Sequence, residues 1–138
     1  MAYFGFFADA DLTEPLTQIE HIVNADTGGV LETSFYFGSP NAGYKAVPSG
    51  QATIKVMAVD TDTSNPHTLG QGQNDSQVYF RLSPNDPWQF GEIEIGNQVL
   101  GGPSNAIKIY VKIVEPPGHV AVYTDFQITT NEYRVEAV

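Results

Sequence analysis

The feature that most constrains this chain is the alternation of apolar and polar side chains over Ile107–Val114. Every second residue is apolar: Ile107, Ile109, Val111 and Ile113. The residues between them are Lys108, Tyr110 and Lys112. Successive side chains of a β-strand point to opposite faces, so the pattern predicts a strand with one buried and one solvated face. No segment has the three- and four-residue apolar spacing of a convincing helix.

Similar alternation recurs along the chain, and Gly, Pro, Asn and Ser clusters separate the runs. The predicted strands are Gln18–Val23, Val30–Phe37, Gln51–Val59, Val78–Leu82, Phe90–Gly96, Ile107–Val114, a run containing Val120, Val122, Phe126 and Ile128, and Tyr133–Val138. The predicted separators are Asn24–Gly29, Gly38–Gly50, a long exposed loop over Asp60–Ser76, and Ser83–Pro87.

This succession of short strands and turn-rich separators predicts an all-β fold, a single antiparallel β-sandwich of Ig-like or jelly-roll-like type with roughly seven to nine strands. A closed barrel is the alternative. The run from Val120 follows Ile107–Val114 after a Pro-Pro-Gly turn. The two runs therefore form a hairpin, or neighbouring strands that cross between sheets. The expected core is Ile54, Val56, Phe80, Leu82, Ile107, Ile109, Val111, Ile113, Val120, Val122, Phe126 and Ile128.

Composition narrows the class of partner. The chain has 138 residues, enough for one ordinary domain over 1–138. Acidic residues outnumber basic ones 16 to 6 and the net charge is −10, which disfavours nucleic acid and anionic membranes. No apolar stretch approaches the roughly 18 residues of a membrane span, and the first residues lack a basic leading segment. We expect synthesis in the cytoplasm without export by the general secretory route.

No catalytic constellation emerges from the sequence. Cys is absent, which removes thiol catalysis, zinc thiolate sites and disulfides. His21, His67 and His119 lie in separate segments, without metal-binding spacing. The paired acids Glu92 and Glu94 fit a solvated strand face. We therefore expect a protein without enzymatic activity or cofactor.

Two aromatic features are candidates for partner binding. Tyr3, Phe4, Phe6 and Phe7 place four aromatic rings around Gly5 at a position where chain ends are normally polar. We expect residues 1–16 to be a docking arm whose rings a neighbouring chain buries. The alternative is a first strand within the same sandwich. Trp88 either covers one end of the core or, with Tyr residues, forms a platform for sugars.

Two segments resemble small virion proteins of tailed phages: Trp88–Gly96 and Ser104–Phe126. They are similar to the Ig or fibronectin-like sandwiches that decorate capsids or sit in tails, where a lysine-containing hydrophobic strand leads to a Pro-Gly turn and a Thr-Asp-aromatic strand. The resemblance implies a capsid decoration or cement protein of the virion, without enzyme activity or cofactor. Its partners would be the phage shell and neighbouring copies in a homo-oligomer. The alternatives are a tail or baseplate component and a carbohydrate-binding β-sandwich module.

The segment Asp60–Asn65 is the best candidate for a metal site in the sequence, but we expect that the protein needs no metal. Its alternating oxygen side chains lack the central Gly and terminal Glu of a calcium-binding EF-hand loop. We expect millimolar calcium to leave the melting temperature nearly unchanged. A large rise that disappears when Asp60 and Asp62 are both replaced by Asn would contradict this expectation.

Overall fold

The computed structural model describes residues 4–16, 29–60, 78–115 and 126–138. In these ranges the chain forms eleven β-strands, and all pair antiparallel. The strands are β1 (Gly5–Phe7), β2 (Gly29–Gly38), β3 (Tyr44–Pro48), β4 (Ile54–Asp60), β5 (Val78–Arg81), β6 (Gln89–Phe90), β7 (Glu92–Gly96), β8 (Val99–Leu100), β9 (Ile107–Glu115), β10 (Phe126–Thr130) and β11 (Tyr133–Ala137).

The strands form three sheets, with the orders β1-β2-β9-β5-β6, β10-β4-β7 and β11-β3-β8. Buried side chains from all three meet in one hydrophobic core, so the five-stranded sheet packs its apolar face against the two smaller sheets. The predicted all-β antiparallel sandwich is confirmed. The strand count exceeds the prediction because β1, β6 and β8 have three, two and two residues, too few to show alternation, and because β3 lies in a stretch predicted to be a separator. No helix in the described ranges is long and apolar enough to cross a membrane.

The longest pairing joins β2 to β9 over nine residue pairs, from Gly29 opposite Glu115 to Phe37 opposite Ile107. This register places odd-numbered residues of both strands on the core side, because side chains alternate with a period of two. Phe35, Ile109 and Val111 are all fully buried as a result.

Most of the predicted core that the structure describes is confirmed. Six of those side chains are buried: Ile54, Val56, Phe80, Ile109, Val111 and Ile113. Three others are partly buried and pack against the core: Leu82, Ile107 and Ile128. Val120, Val122 and the side chain of Phe126 lie outside what is described, as do the predicted strand Gln18–Val23 and the loop after Asp60.

The strands β9 and β10, which lie before and after the Pro-Pro-Gly sequence, belong to different sheets. β9 pairs with β2 and β5, whereas β10 pairs with β4 over five residue pairs. For the described residues of the two runs, the predicted crossing between sheets is the arrangement observed, whereas the part of the second run from Val120 to residue 125 lies outside the described ranges.

The prediction that Gly38–Gly50 is only a turn-rich separator is wrong. β3 occupies Tyr44–Pro48 and is the central strand of its sheet, between β11 and β8. The Gly, Pro and Asn residues around it obscure the strand in the sequence, but pairing along both of its edges stabilises it.

The backbone of Gly101, which follows β8, lies very close to the backbone of Asn41. A Cβ at position 101 would clash with the Asn41 carbonyl oxygen, so this end of the sheet requires glycine.

Truncating Ile109 to Ala is expected to lower the free energy of unfolding by about 2 to 5 kcal/mol, the usual cost of a large cavity in a core. Ile109 has no exposed surface at the centre of the five-stranded sheet. Val30 to Ala is the control, because Val30 is 58% exposed on the neighbouring strand. Chemical denaturation of both variants measures the difference, and equal stability would show that the register of β9 is not as described.

Candidate functional site

The outer face of the five-stranded sheet, the side turned away from the core, concentrates aromatic and basic side chains. Their strand positions alternate with those of the buried residues. We call this surface the cation–aromatic face, and it consists of Tyr36, Tyr79, Arg81, Trp88, Phe90, Lys108, Tyr110 and Lys112.

Strand order and register bring these residues together. Three cross-strand pairs each place a cation beside an aromatic ring: Tyr36 with Lys108, Tyr110 with Arg81, and Tyr79 with Lys112. Directly opposed side chains on one face of an antiparallel pair lie close enough to interact. The antiparallel pairing of β2, β9 and β5 therefore builds the face from residues far apart in the sequence.

Lys108 lies between two tyrosine rings. Its Nζ is 5.0 Å from the ring centre of Tyr110 and 6.0 Å from that of Tyr36. Both distances are within the range of cation–π attraction. A side-chain hydrogen bond with Tyr110 above all, and then electrostatic interaction with Tyr110 and Tyr36, raise the pKa of Lys108 above its ordinary value. Lys108 therefore keeps its positive charge throughout the neutral pH range.

Two cations contact the ring of Trp88. The guanidinium carbon of Arg81 lies 4.0 Å from the ring centre, and Nζ of Lys112 lies 5.0 Å from it. Nζ of Lys112 is also 5.0 Å from the ring centre of Tyr79. Tyr79 in turn makes an edge-to-face contact at 5.8 Å with Phe90, which is 59% exposed. The rings and cations therefore form one connected surface that extends to the edge of the sheet.

Arg81 lies beside a shallow depression in this face. Its Nη1 donates a hydrogen bond of 3.4 Å to the carbonyl oxygen of Asp86. Its Nε is buried and donates to no acceptor in the described parts of the chain. The depression has a volume of about 250 Å³ and is lined by Glu32, Thr33, Ser34, Arg81, Trp88 and Tyr110.

The charge of the face is opposite to that of the whole chain. It holds three of the six Lys and Arg residues of a protein with net charge −10. On β2, β9 and β5, the one outward carboxylate with a described side chain is that of Glu32. No ion pair within the described ranges involves any of the three cations, whereas Lys55 pairs with Glu92 at 3.4 Å elsewhere.

The amino-terminal aromatic residues pack against their own chain. β1 pairs with β2, with Phe7 opposite Tyr36. Phe4 is 5% exposed, and its ring centre lies 6.2 Å from that of Phe37. The Tyr133 hydroxyl donates a 3.2 Å hydrogen bond to the Phe4 carbonyl oxygen. Phe6 packs at the margin of the core, 5.4 Å from Phe37, and Phe7 is 3% exposed.

The residues after β1 fold back on it. Leu16 donates its amide to the Phe6 carbonyl oxygen at 3.0 Å. The Asp9 carboxylate accepts hydrogen bonds from the amides of Thr13 and Glu14, at 3.0 and 2.9 Å. The Thr13 hydroxyl and the Glu14 amide lower the pKa of Asp9 below its ordinary value.

This placement matches the first-strand alternative, because the exposed edge of β2 offers β1 both backbone partners and apolar surface. The premise of an exposed aromatic patch therefore fails for Phe4 and Phe7, which their own chain already buries. Tyr3 lies outside the described residues. Binding of a partner by residues 1–16 stays a prediction.

Trp88 is half-buried and is not part of the hydrophobic core cluster, so it does not cover an end of the core. Arg81 and Lys112 contact its ring, and a role for Trp88 in binding a sugar or a protein stays a prediction. Trp88 and the amino-terminal aromatic residues lie toward opposite edges of the five-stranded sheet, since β1 and β6 are its two outermost strands.

Within the described ranges, no three His, Asp or Glu side chains lie close enough together to hold a metal ion. His21, His67, His119 and residues 61–65 lie outside those ranges. Glu92 and Glu94 are exposed on β7, where they alternate with buried Ile93 and Ile95, as predicted for a solvated strand face.

Sequence inspection found only Trp88 among the members of the cation–aromatic face. The alternation already placed Lys108, Tyr110 and Lys112 on one side of a strand, and Tyr79 with Arg81 on one side of another. The missing information was the order β2-β9-β5, which makes these strands neighbours.

Comparisons of the chain with protein-family models, with curated proteins and with solved structures returned no match.

The solvent exposure of Trp88 should depend on Arg81. We expect Arg81→Ala to increase the quenching of Trp88 fluorescence by acrylamide, because the guanidinium lies over the ring at 4.0 Å. Trp88 is the only tryptophan, so the signal reports on this site alone. Arg134→Ala, which removes an exposed cation from β11, should leave the quenching unchanged. Equal quenching in both variants would contradict the stacking of Arg81 on Trp88.

Proposed function

We propose that this protein is a non-enzymatic structural protein of a phage virion, a capsid decoration or cement protein that binds the shell through its cation–aromatic face. The observation that carries the proposal is the clustering of half-buried Tyr, Trp and Arg side chains on the outer face of one sheet, beside exposed Lys108 and Phe90. These residue types are enriched at protein–protein interfaces and at their energetic hot spots.

The shape of the face also favours a protein partner. Sites for small molecules are usually clefts of about 300 to 1,000 Å³ that enclose most of the ligand. Here the depression beside Arg81 measures about 250 Å³ and is shallow. A broad sheet with neighbouring rings and cations suits contact with another protein surface better than it suits enclosure of a substrate.

The sheet supports rigid binding. Phe35, Val111 and Phe80 are fully buried beneath the face, on β2, β9 and β5. The side chains above them therefore project from strands that the core holds in place. A preorganised surface loses less conformational entropy when it binds, which suits a protein that must attach permanently to a particle.

The assignment to phages is supported by the resemblance of Trp88–Gly96 and Ser104–Phe126 to small virion sandwiches. A net charge of −10 suits a protein that must stay soluble in the host cytoplasm until it assembles. In the virion, its partners would be shell proteins and neighbouring copies of itself.

Two other functions use the same surface. A tail or baseplate component would bind a different virion protein through the same face. A carbohydrate-binding module would use exposed rings, and Phe90, which is 59% exposed beside Tyr79, offers one. We favour protein binding because sugars stack on open ring faces, and cations contact the rings of Trp88 and Tyr79.

The test is to purify virus particles from lysates that contain this protein, to identify the chain by mass spectrometry, and to locate it by electron microscopy. We expect density on the outer shell at about one copy or ring of copies per capsomer. A ring of copies confined to the tail would favour the tail alternative. Absence from purified particles would overturn both virion functions, and saturable binding on a glycan array would then favour the carbohydrate module.

A further inference from the structure

We infer that the cation–aromatic face binds a carboxylate-rich extended segment of a partner polypeptide. The inference rests on the proposed function, in which a shell protein supplies that segment. It adds the chemistry of recognition: paired acidic side chains of the partner contact Lys108, Lys112 and Arg81.

The first argument is the distribution of charge. The six basic residues of the chain divide equally between this face and the rest of the molecule. Those elsewhere lie near acids: Lys55 pairs with Glu92, Arg134 pairs with Glu136, and Lys45 lies opposite Glu136 in the strand register. On the cation–aromatic face, Lys108 lies opposite Tyr36 and Arg81 lies opposite Tyr110. Lys112 alone lies opposite an acid, Glu32, and forms no ion pair with it in the described ranges. The described residues thus hold the three cations in position without forming an ion pair with any of them.

The second argument is the availability of donors. The ammonium group of Lys108 interacts with Tyr110 and Tyr36, and that of Lys112 lies near the rings of Tyr79 and Trp88. Each ammonium group has three hydrogens, so a donor remains for an incoming acceptor. Arg81 retains a buried Nε without an acceptor in the described ranges. A carboxylate is the natural complement, because charge-assisted hydrogen bonds to carboxylates are stronger than neutral ones.

The third argument is spacing. Lys108 and Lys112 are four residues apart on one strand, which corresponds to about 13 Å. Arg81 lies opposite Tyr110, midway between them, on the next strand. An extended segment with acids at alternate positions presents carboxylates about 6.8 Å apart, a spacing that matches this row of cations.

The net charge decides which class of polyanion fits. A chain of net charge −10 repels nucleic acid and anionic membranes, whose charge extends over many repeats. A short acidic peptide segment meets only the local positive face, since screening in physiological salt limits electrostatic interactions to about 8 Å. The favoured ligand is therefore a short acidic stretch of a protein.

The experiment titrates the intact protein with a capped peptide that has glutamate at three alternate positions and serine between them. The fluorescence of Trp88 reports binding, because it is the only tryptophan and lies on the face. We expect saturable binding that weakens as sodium chloride is added. The matched peptide with glutamine in place of glutamate should bind at least about tenfold more weakly.

Two double variants distinguish binding by the cation–aromatic face from an effect of the protein's net charge. Lys108→Gln with Lys112→Gln should weaken binding about tenfold. Lys45→Gln with Lys55→Gln changes the net charge equally at sites away from the face and should alter the dissociation constant by less than about twofold. Lys108→Arg with Lys112→Arg retains the charge and should restore binding. Thermal melting of each variant verifies that it is folded.

Three outcomes would overturn the inference: equal loss in both glutamine double variants, equal binding of the glutamate and glutamine peptides, or no peptide binding by a folded protein that self-associates through Lys108 and Lys112. The last would assign the face to a second copy of this chain. Failure of the proposed function gives a different result, because the protein would then be absent from virus particles whether or not the peptide binds. Attachment to particles that survives Lys108→Gln with Lys112→Gln would leave the virion function standing and remove the carboxylate site.

Discussion

The pairing of β2 with β9 is the constraint on which the rest of the structure depends. Its nine residue pairs determine which side chains of both strands face the core and which face outward. The odd-numbered side chains, such as Phe35, Ile109 and Val111, enter the core. The even-numbered side chains, such as Ser34, Lys108 and Tyr110, lie on the outer face. A slip of one residue would bury lysines and expose phenylalanine and isoleucine, which the cost of burying charge forbids. The core and the candidate binding face therefore have a common cause.

The electrostatic character of the outer face follows from the register of β2 and β9 and from β5, the strand next to β9. β5 places Tyr79 opposite Lys112 and Arg81 opposite Tyr110. In an acidic protein, positive side chains would ordinarily find carboxylates, as Lys55 finds Glu92. On this face each cation has aromatic neighbours, and Lys112 alone also lies opposite a carboxylate, that of Glu32, without an ion pair in the described ranges. Aromatic rings orient a cation while leaving its charge for a partner. The same side chains stabilise the surface of the sheet and define its binding chemistry.

The edges of the sheets show where local sequence signals are weak. β1 has three residues and includes Gly5, yet it pairs along β2, and both Phe4 before it and Phe7 at its end are buried. β3 lies in a Gly- and Pro-rich stretch and is stabilised by neighbours on both sides. Short strands of this kind gain most of their stability from tertiary contacts. Such contacts explain why an amino-terminal segment that suggests a docking arm is packed as a strand.

The sequence by itself determined the all-β class, the strands with long alternation and part of the core, because a period of two over several residues has only one way to bury its apolar side. It also separated Lys108, Tyr110 and Lys112 from the core residues between them. Only the tertiary structure decided that β2, β9 and β5 are neighbours, that β9 and β10 lie in different sheets, and that Trp88 meets Arg81 and Lys112. Strand order depends on contacts between distant segments, and alternation within one segment carries no information about its neighbour.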